Sequence, residues 1–314
     1  MSKTAFVFPG QGSQTVGMGK DLYDNFAVAK AVFEEADEAL GFSITDMCFN
    51  GPEEELMKTY NTQPAILTVS VACYRVLKEA GIDADIVAGH SLGEYSALVA
   101  AGALSFKEAV VLVHKRGQFM QQAVPLGEGG MAAILGMDRA SIIEVCRSIE
   151  EQGRAVQAVN FNCPGQVVIA GNTEGVATAA EALKKAGAKR AISLPVSAPF
   201  HSSLMKPAAE KLAVELAKTA VNDAEIAVVA NVTGTIITEG DAIRESLVRQ
   251  AASPVLWEDC VAQMLEFGAN VFVEVGPGKV LTGFTKKIAK ESTTFNVENV
   301  ASLQKTLDYF KEVR

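Results

Sequence analysis

Residues 84–101 read ADIVAGHSLGEYSALVAA, and within them Gly89-His90-Ser91-Leu92-Gly93 fits the pattern G-x-S-x-G. A short β-branched run precedes the serine and a helix-forming run follows it, the setting a nucleophile elbow requires. Glycines two residues to either side let neighbouring backbones pass close to a sharp turn. The hydroxyl then stands at a helix N-terminus, where backbone N–H groups, notably that of Leu92, can stabilise an oxyanion. The competing reading is a helix-capping serine after a strand. A serine hydroxyl needs a base to attack at neutral pH. The chain has three histidines. His90 adjoins the serine, and adjacent side chains on a turn diverge. His114 lies in the apolar run AVVLVHKRG, where a packed, hydrogen-bonded ring is expected. His201 lies in PVSAPFHSSLMKP, a strand-to-helix loop of the kind that carries catalytic groups in α/β proteins. Elimination favours His201. Residues 191–209 contain no Asp or Glu, so a distant carboxylate or a backbone carbonyl must orient the imidazole.

These groups need a scaffold. TAFVFPGQG (4–12) reads as a buried strand entering a glycine turn, and helical spacing follows over 21–40, 62–81, 91–101 and 105–123. PLGEGG (125–130) interrupts the chain. Beyond it, about 70 residues read β-α-β-β-α-β, the ferredoxin-like order of a compact unit. A helix over 202–220, a strand over 225–234, helices near 241–251 and 257–267, and a strand over 270–278 then resume the first pattern. Strands alternating with helices predict a parallel sheet covered on both faces. The fold class expected is α/β: an α/β-hydrolase-like catalytic domain from 1–124 and 197–314, with a ferredoxin-like subdomain, 125–196, inserted. No internal repeat or low-complexity segment interrupts it.

The composition narrows the class of activity. With 49% hydrophobic and 21% charged residues over 314 positions, the chain has the balance of a soluble globular protein. The net charge of −9 argues against nucleic-acid binding, and an acidic partner would need a local basic patch. The longest apolar runs fall short of a membrane span, and the N-terminus lacks the marks of a secretory signal. Five scattered cysteines without a CxxC pair suggest neither a disulfide framework nor a zinc site, and fit a reducing cytoplasm. No metal and no cofactor is expected: the histidines are too few and too separated.

Six motifs in order, FPGQGSQ (8–14), GHSLGEYSAL (89–98), KRGQFMQ (115–121), NFNCPGQVVIAG (160–171), VSAPFHSSLM (196–205) and VEVGPGKVLTG (273–283), give the chain its resemblance to the malonyl-CoA:acyl carrier protein transacylase family of type II fatty-acid synthesis. The resemblance spans essentially the whole chain and implies the inserted ferredoxin-like domain. It implies that Ser91 is acylated and His201 is the general base, a dyad oriented by the backbone carbonyl of Gln250. It places Gln11 beside Leu92 as an oxyanion donor through their backbone N–H groups. It makes Arg116, whose spacing alone reads as a helix-surface arginine, the partner of the malonyl carboxylate, a task suited to a planar, permanently charged fork. Phe200 resembles the bulky ring that leaves little room for an α-methyl branch, and by itself also reads as loop packing. Asn160 is a candidate contact to the acyl-thioester or pantetheine arm, with Asn162 beside it; both also read as turn residues before Pro-Gly. The implied reaction is ping-pong transfer from malonyl-CoA to the phosphopantetheine thiol of acyl carrier protein. That acidic partner could dock on Lys286 and Lys287 or on Lys189 and Arg190, though most charge runs are only solvated faces. The alternatives are a serine thioesterase or esterase with the same elbow, and a non-catalytic scaffold on the same fold.

Overall fold

The computed structural model describes residues 3–196 and 198–313. Its strands are β1 (Lys3–Phe8), β2 (Ile86–Gly89), β3 (Gly129–Leu135), β4 (Val156–Cys163), β5 (Gln166–Asn172), β6 (Arg190–Ser193), β7 (Ala227–Val229), β8 (Ile236–Ile237), β9 (Ala269–Val275) and β10 (Thr293–Val297). The first sheet has the order β10-β9-β1-β2-β7-β8. Every neighbouring pair in it is parallel except β7–β8 at one edge. β1 and β2 sit in the middle and are almost wholly buried, which is why AFVF and IVAG are unbroken apolar runs rather than alternating ones. Helices cover both faces: Phe6, Phe8 and Val87 pack into one core, Ala5, Val7, Ile86 and Ala88 into another around Trp257 and Met264.

The second sheet, β4-β5-β3-β6, is antiparallel throughout. With the helices Arg139–Glu150 and Thr173–Lys185 it has the ferredoxin-like order. Its strands alternate in side-chain direction. Ala132 and Ile134 face those two helices, while Met131 and Ala133 pack with Met120 and Phe200 of the larger unit. Val255 is stitched to β4 by the bonds Phe161 N–H to Val255 O (2.9 Å) and Val255 N–H to Val159 O (2.8 Å).

The expected α/β architecture stands, with differences at the edges. The helix expected over 21–40 breaks at Phe26, whose extended backbone separates Lys20–Asn25 from Ala27–Leu40. The helix expected over 202–220 starts only at Lys206, after a 3-10 turn, and ends at Leu216. The strand expected over 225–234 is three residues long. β8, β10 and the helices Ile44–Asn50, Glu53–Leu56 and Val300–Glu312 were not expected at all. β10 is a half-exposed edge strand, so TTFNV carries neither strict alternation nor a continuous apolar run. The boundary expected at Ser197 lies outside the described residues.

Candidate active site

In an open parallel sheet the chain leaves every strand at one edge, and ligands gather there. Gln11 follows β1, Ser91 follows β2 and Asn231 follows β7, so three neighbouring strands deliver their next residues to one place. Ser91 adopts φ 53°, the left-handed region that non-glycine residues rarely occupy. The flanking glycines are required by space. A Cβ on Gly89 would run into the carbonyl of Gly93, and one on Gly93 into the carbonyl of Phe8. The elbow is therefore wedged against the end of β1, and that contact holds Ser91 in its strained turn.

The Ser91 hydroxyl does not cap the helix Gly93–Ala100, which has no side-chain cap bond. It lies 2.6 Å from Nε2 of His201. His201, itself at φ 64° and 4% exposed, has its Nδ1 2.9 Å from the backbone carbonyl of Gln250. Nδ1–H donates to that carbonyl, which leaves the lone pair of Nε2 to accept the serine proton. Burial, and then the positive charge of Arg116, push the imidazole pKa down to about 3. His201 is thus neutral at any ordinary pH.

Arg116, on the helix Phe106–Gln122, is 1% exposed. Its Nη1 donates to Gln63 Oε1 (2.6 Å), and its Nη2 to Gln250 Oε1 (2.9 Å) and Ser91 Oγ (3.2 Å). All three acceptors are neutral, and Nε has no partner among the described residues. Burial lowers its pKa from a very high starting point, while the buried Glu94 nearby favours its charged form, so a guanidinium stays charged beside the serine and, among the described residues, is hydrogen-bonded to no carboxylate. Such a group is a ready anion site.

Ser91 N–H donates to Asn231 Oδ1 (2.7 Å), and Asn231 Nδ2 donates to Gly89 O (2.7 Å). The serine's own N–H is therefore committed. Among the described residues, the N–H groups of Leu92 and Gln11 are not donated to any protein acceptor. Both residues line the cavity of about 100 Å³ at Ser91, together with His201, Arg116, Asn160 and the apolar Met120, Met131 and Phe200. Gln11, His90 and Asn160 also line an adjoining cavity of about 200 Å³, where Asn162 and Phe284 lie. His90 faces away from the serine: its Nε2 is 2.8 Å from Asn162 Oδ1 and its ring packs on Trp257. A larger cavity, about 540 Å³, runs between the helix Arg139–Glu150 and Leu256, and touches neither Ser91 nor Arg116.

The structure thus gathers Ser91, His201, Gln11, Leu92, Arg116, Asn160 and Phe200 around one cavity. Asn162 is placed one cavity further out and Gln250 behind the histidine. Lys286 and Lys287 are exposed on Val280–Ile288, the helix that walls the outer cavity. Lys189 and Arg190 are exposed at the start of β6. His114 is held by Tyr60 O and Gln118 and lines neither of the two cavities at Ser91. Sequence reasoning missed Gln63, Asn231, Glu94 and the side chain of Gln250. Glu94 stood inside GHSLGEYSAL and is fully buried, and a charged residue within an apolar helical run is the signal that would have found it.

A family model for the acyl transferase domain matches residues 5–313. The chain is 52% identical, over 99% of its length and 98% of the relative's, to the malonyl CoA-acyl carrier protein transacylase of Bacillus subtilis. The crystal structure of the malonyl CoA-acyl carrier protein transacylase from Clostridium perfringens superposes with a TM-score of 0.96 at 46% identity, covering 99% of this chain and 98% of that one. A malonyl-transacylase solved in complex with its type II PKS acyl-carrier protein matches with a TM-score of 0.95 at 49% identity, over 98% and 100% of the two chains. With an elbow serine hydrogen-bonded to a histidine and a family match over residues 5–313, this chain belongs to the acyl transferase family, among the malonyl CoA-acyl carrier protein transacylases.

Proposed function

We propose that this protein is an acyl carrier protein S-malonyltransferase working through a malonyl-serine intermediate. His201 Nε2 takes the Ser91 proton as Oγ attacks the malonyl-CoA thioester. The oxyanion is held by the N–H groups of Gln11 and Leu92. As the intermediate collapses, His201 gives its proton to the departing CoA thiolate. The phosphopantetheine thiol of the carrier protein then attacks malonyl-Ser91, losing its proton to His201, which returns it to Oγ. Side chains and backbone dipoles carry every step, and no metal or cofactor enters.

The observation that carries this reading is Arg116: a buried cationic fork 3.2 Å from the nucleophile, with only neutral partners. It fits an acyl group that ends in a carboxylate. A general thioesterase has no use for such a charge, and the orientation of His201 by a carbonyl rather than a carboxylate also favours the dyad of the transferase. Phe200, with Met120 and Met131, walls the acyl end. Asn160 and Asn162 line the way out and suit the amides of the pantetheine arm. The inserted unit, 125–196, contributes Met131, Asn160 and Asn162 to this lining, and the catalytic unit formed by 1–124 and 197–314 contributes Met120 and Phe200. A cytoplasmic setting fits five buried cysteines that are all free.

Intact-mass measurement after mixing with malonyl-CoA tests this: one malonyl adduct should form and disappear in Ser91→Ala. An unlabelled wild type refutes the enzyme, and continuous CoA release without carrier protein would establish a hydrolase instead. For docking, Lys286 and Lys287 lie on the helix that walls the outer cavity, and neither is in an ion pair among the described residues. They are the first choice for the acidic carrier protein, with Lys189 and Arg190 second. Glu in place of Lys286 and Lys287 should slow transfer to carrier protein and flatten its salt dependence while leaving the malonylation of Ser91 by CoA intact. An undiminished rate rules out this site.

A further inference from the structure

Glu94 is 0% exposed, on the first turn after the elbow. Its Oε2 accepts from Gln250 Nε2 (2.8 Å) and from the backbone N–H of Asn231 (3.2 Å), while Oε1 has no partner among the described residues. Both partners reach the reacting groups. Asn231 spans the elbow, holding Ser91 N–H and Gly89 O. Gln250 donates its other Nε2 proton to Ser91 O (2.8 Å), presents Oε1 to Arg116 Nη2 (2.9 Å) and turns its own backbone carbonyl to His201.

Three groups set the polarity of that arrangement together: Arg116, Ser91 O and Glu94. A flipped Gln250 carboxamide would set its amino group against the guanidinium, donor on donor, and its oxygen against Glu94 and Ser91 O, acceptor on acceptor. Glu94 takes the second Nε2 proton and so anchors the end of the carboxamide remote from the guanidinium, while a neutral oxygen steers one arm of Arg116 without neutralising it. From this geometry we infer that Glu94 is a positioning residue for malonyl selection: through Gln250 and Asn231 it sets the aim of Arg116 and the stance of Ser91. Glu94 touches no reacting atom. Burial, which raises its pKa to about 7, shows the cost of keeping a carboxyl group there and fits a site maintained for its bonds.

This inference rests on Arg116 receiving the malonyl carboxylate. The experiment compares single-turnover acylation by malonyl-CoA and acetyl-CoA in the wild type, Arg116→Ala, Glu94→Gln, Glu94→Ala and the isosteric Glu94→Met. Both bonds of Glu94 go to one oxygen, so Glu94→Gln keeps the acceptor and should retain the malonyl preference. Glu94→Ala and Glu94→Met should each lower malonyl acylation by roughly 10- to 100-fold, the range of a lost hydrogen bond to a charged group, and should shrink the malonyl-to-acetyl ratio. Adding Gln250→Met to Glu94→Met should cost no further selectivity, because one acts through the other. A folded Glu94→Met with the wild-type ratio overturns the inference, as does a double variant whose selectivity losses simply add. A wild type without malonyl preference, unaltered by Arg116→Ala, overturns instead the reading of Arg116 on which it rests.

Discussion

Replacing Arg116 by alanine tests the substrate assignment most directly, because the side chain is buried and its contacts are few. The guanidinium lies 3.2 Å from the nucleophilic oxygen, so a carboxylate two bonds beyond the attacked thioester carbonyl falls within its reach. Charge-assisted hydrogen bonds contribute about 1.5–3 kcal/mol each, and a buried anion deprived of its partner costs about 3–5 kcal/mol. A loss of about 3–4 kcal/mol in transition-state binding corresponds to roughly 10²- to 10³-fold in kcat/KM for malonyl-CoA. Acetyl-CoA makes no such contact, and for it the change removes a charge that the bound acyl group had left unpaired. Its kcat/KM should hold or rise, so the ratio of the two donors should fall by the full factor or more. Arg116→Lys keeps the charge but loses the fork and should fall between. Rapid-quench acylation read by intact mass, donor by donor, gives the ratio, and circular dichroism checks that each variant is folded, since Gln63 and Gln250 lose a partner in both. Equal losses for malonyl and acetyl would refute the assignment and make Arg116 a structural residue.

Other outcomes follow from the same geometry. With the His201 pKa near 3 rather than 6.5, acylation should show no acid limb at the ordinary histidine value; a limb near 7 that vanishes in Glu94→Gln belongs to Glu94, and one that persists there contradicts a depressed base. The unfolded chain takes up a proton at His201 below about 6.5 that the folded chain refuses until about 3, so this residue makes stability decline as pH falls through that window, which urea titrations at stepped pH would detect. Phe200→Ala should open the acyl cavity and raise methylmalonyl relative to malonyl acylation by about 10-fold or more, the scale of discrimination by one carbon; an unchanged ratio by mass would place the specificity elsewhere. Gly93→Ala drives a Cβ into the Phe8 carbonyl and should cost at least about 1–3 kcal/mol, seen as a lower melting temperature with acylation lost; a variant as stable as wild type would show that the elbow is not wedged against β1.

How far the sequence disclosed this site depended on what each residue does for the backbone. Ser91 and His201 were legible because a nucleophile on a turn leaves a local pattern and because three histidines permit elimination. The geometry adds what no pattern holds, that both sit at positive φ and meet at 2.6 Å. Arg116 was legible only through resemblance. On its helix it looks like any charged residue, and its burial is set by packing against Gln63 and by Gln250, some 130 positions away in the chain. The fold behaves alike. β1 and β2 announced themselves as continuous apolar runs, since both faces are covered, whereas β10 is a half-exposed edge strand that obeys no period; the helix after it does carry one, with Val300, Leu303, Leu307 and Phe310 on the face that meets the core, and sequence reasoning missed it. Glu94 joins the two cases. It stood within the clearest motif of the chain, yet its partners Asn231 and Gln250 come from loops and helices more than a hundred residues later. A buried carboxylate in an apolar run states that it must be satisfied; only the assembled fold states by whom, namely Gln250 and the Asn231 N–H, residues that also bond Ser91 and Arg116. Under the function proposed, one acidic group thereby steadies the nucleophile, the carbonyl behind the base and the cation that selects the substrate.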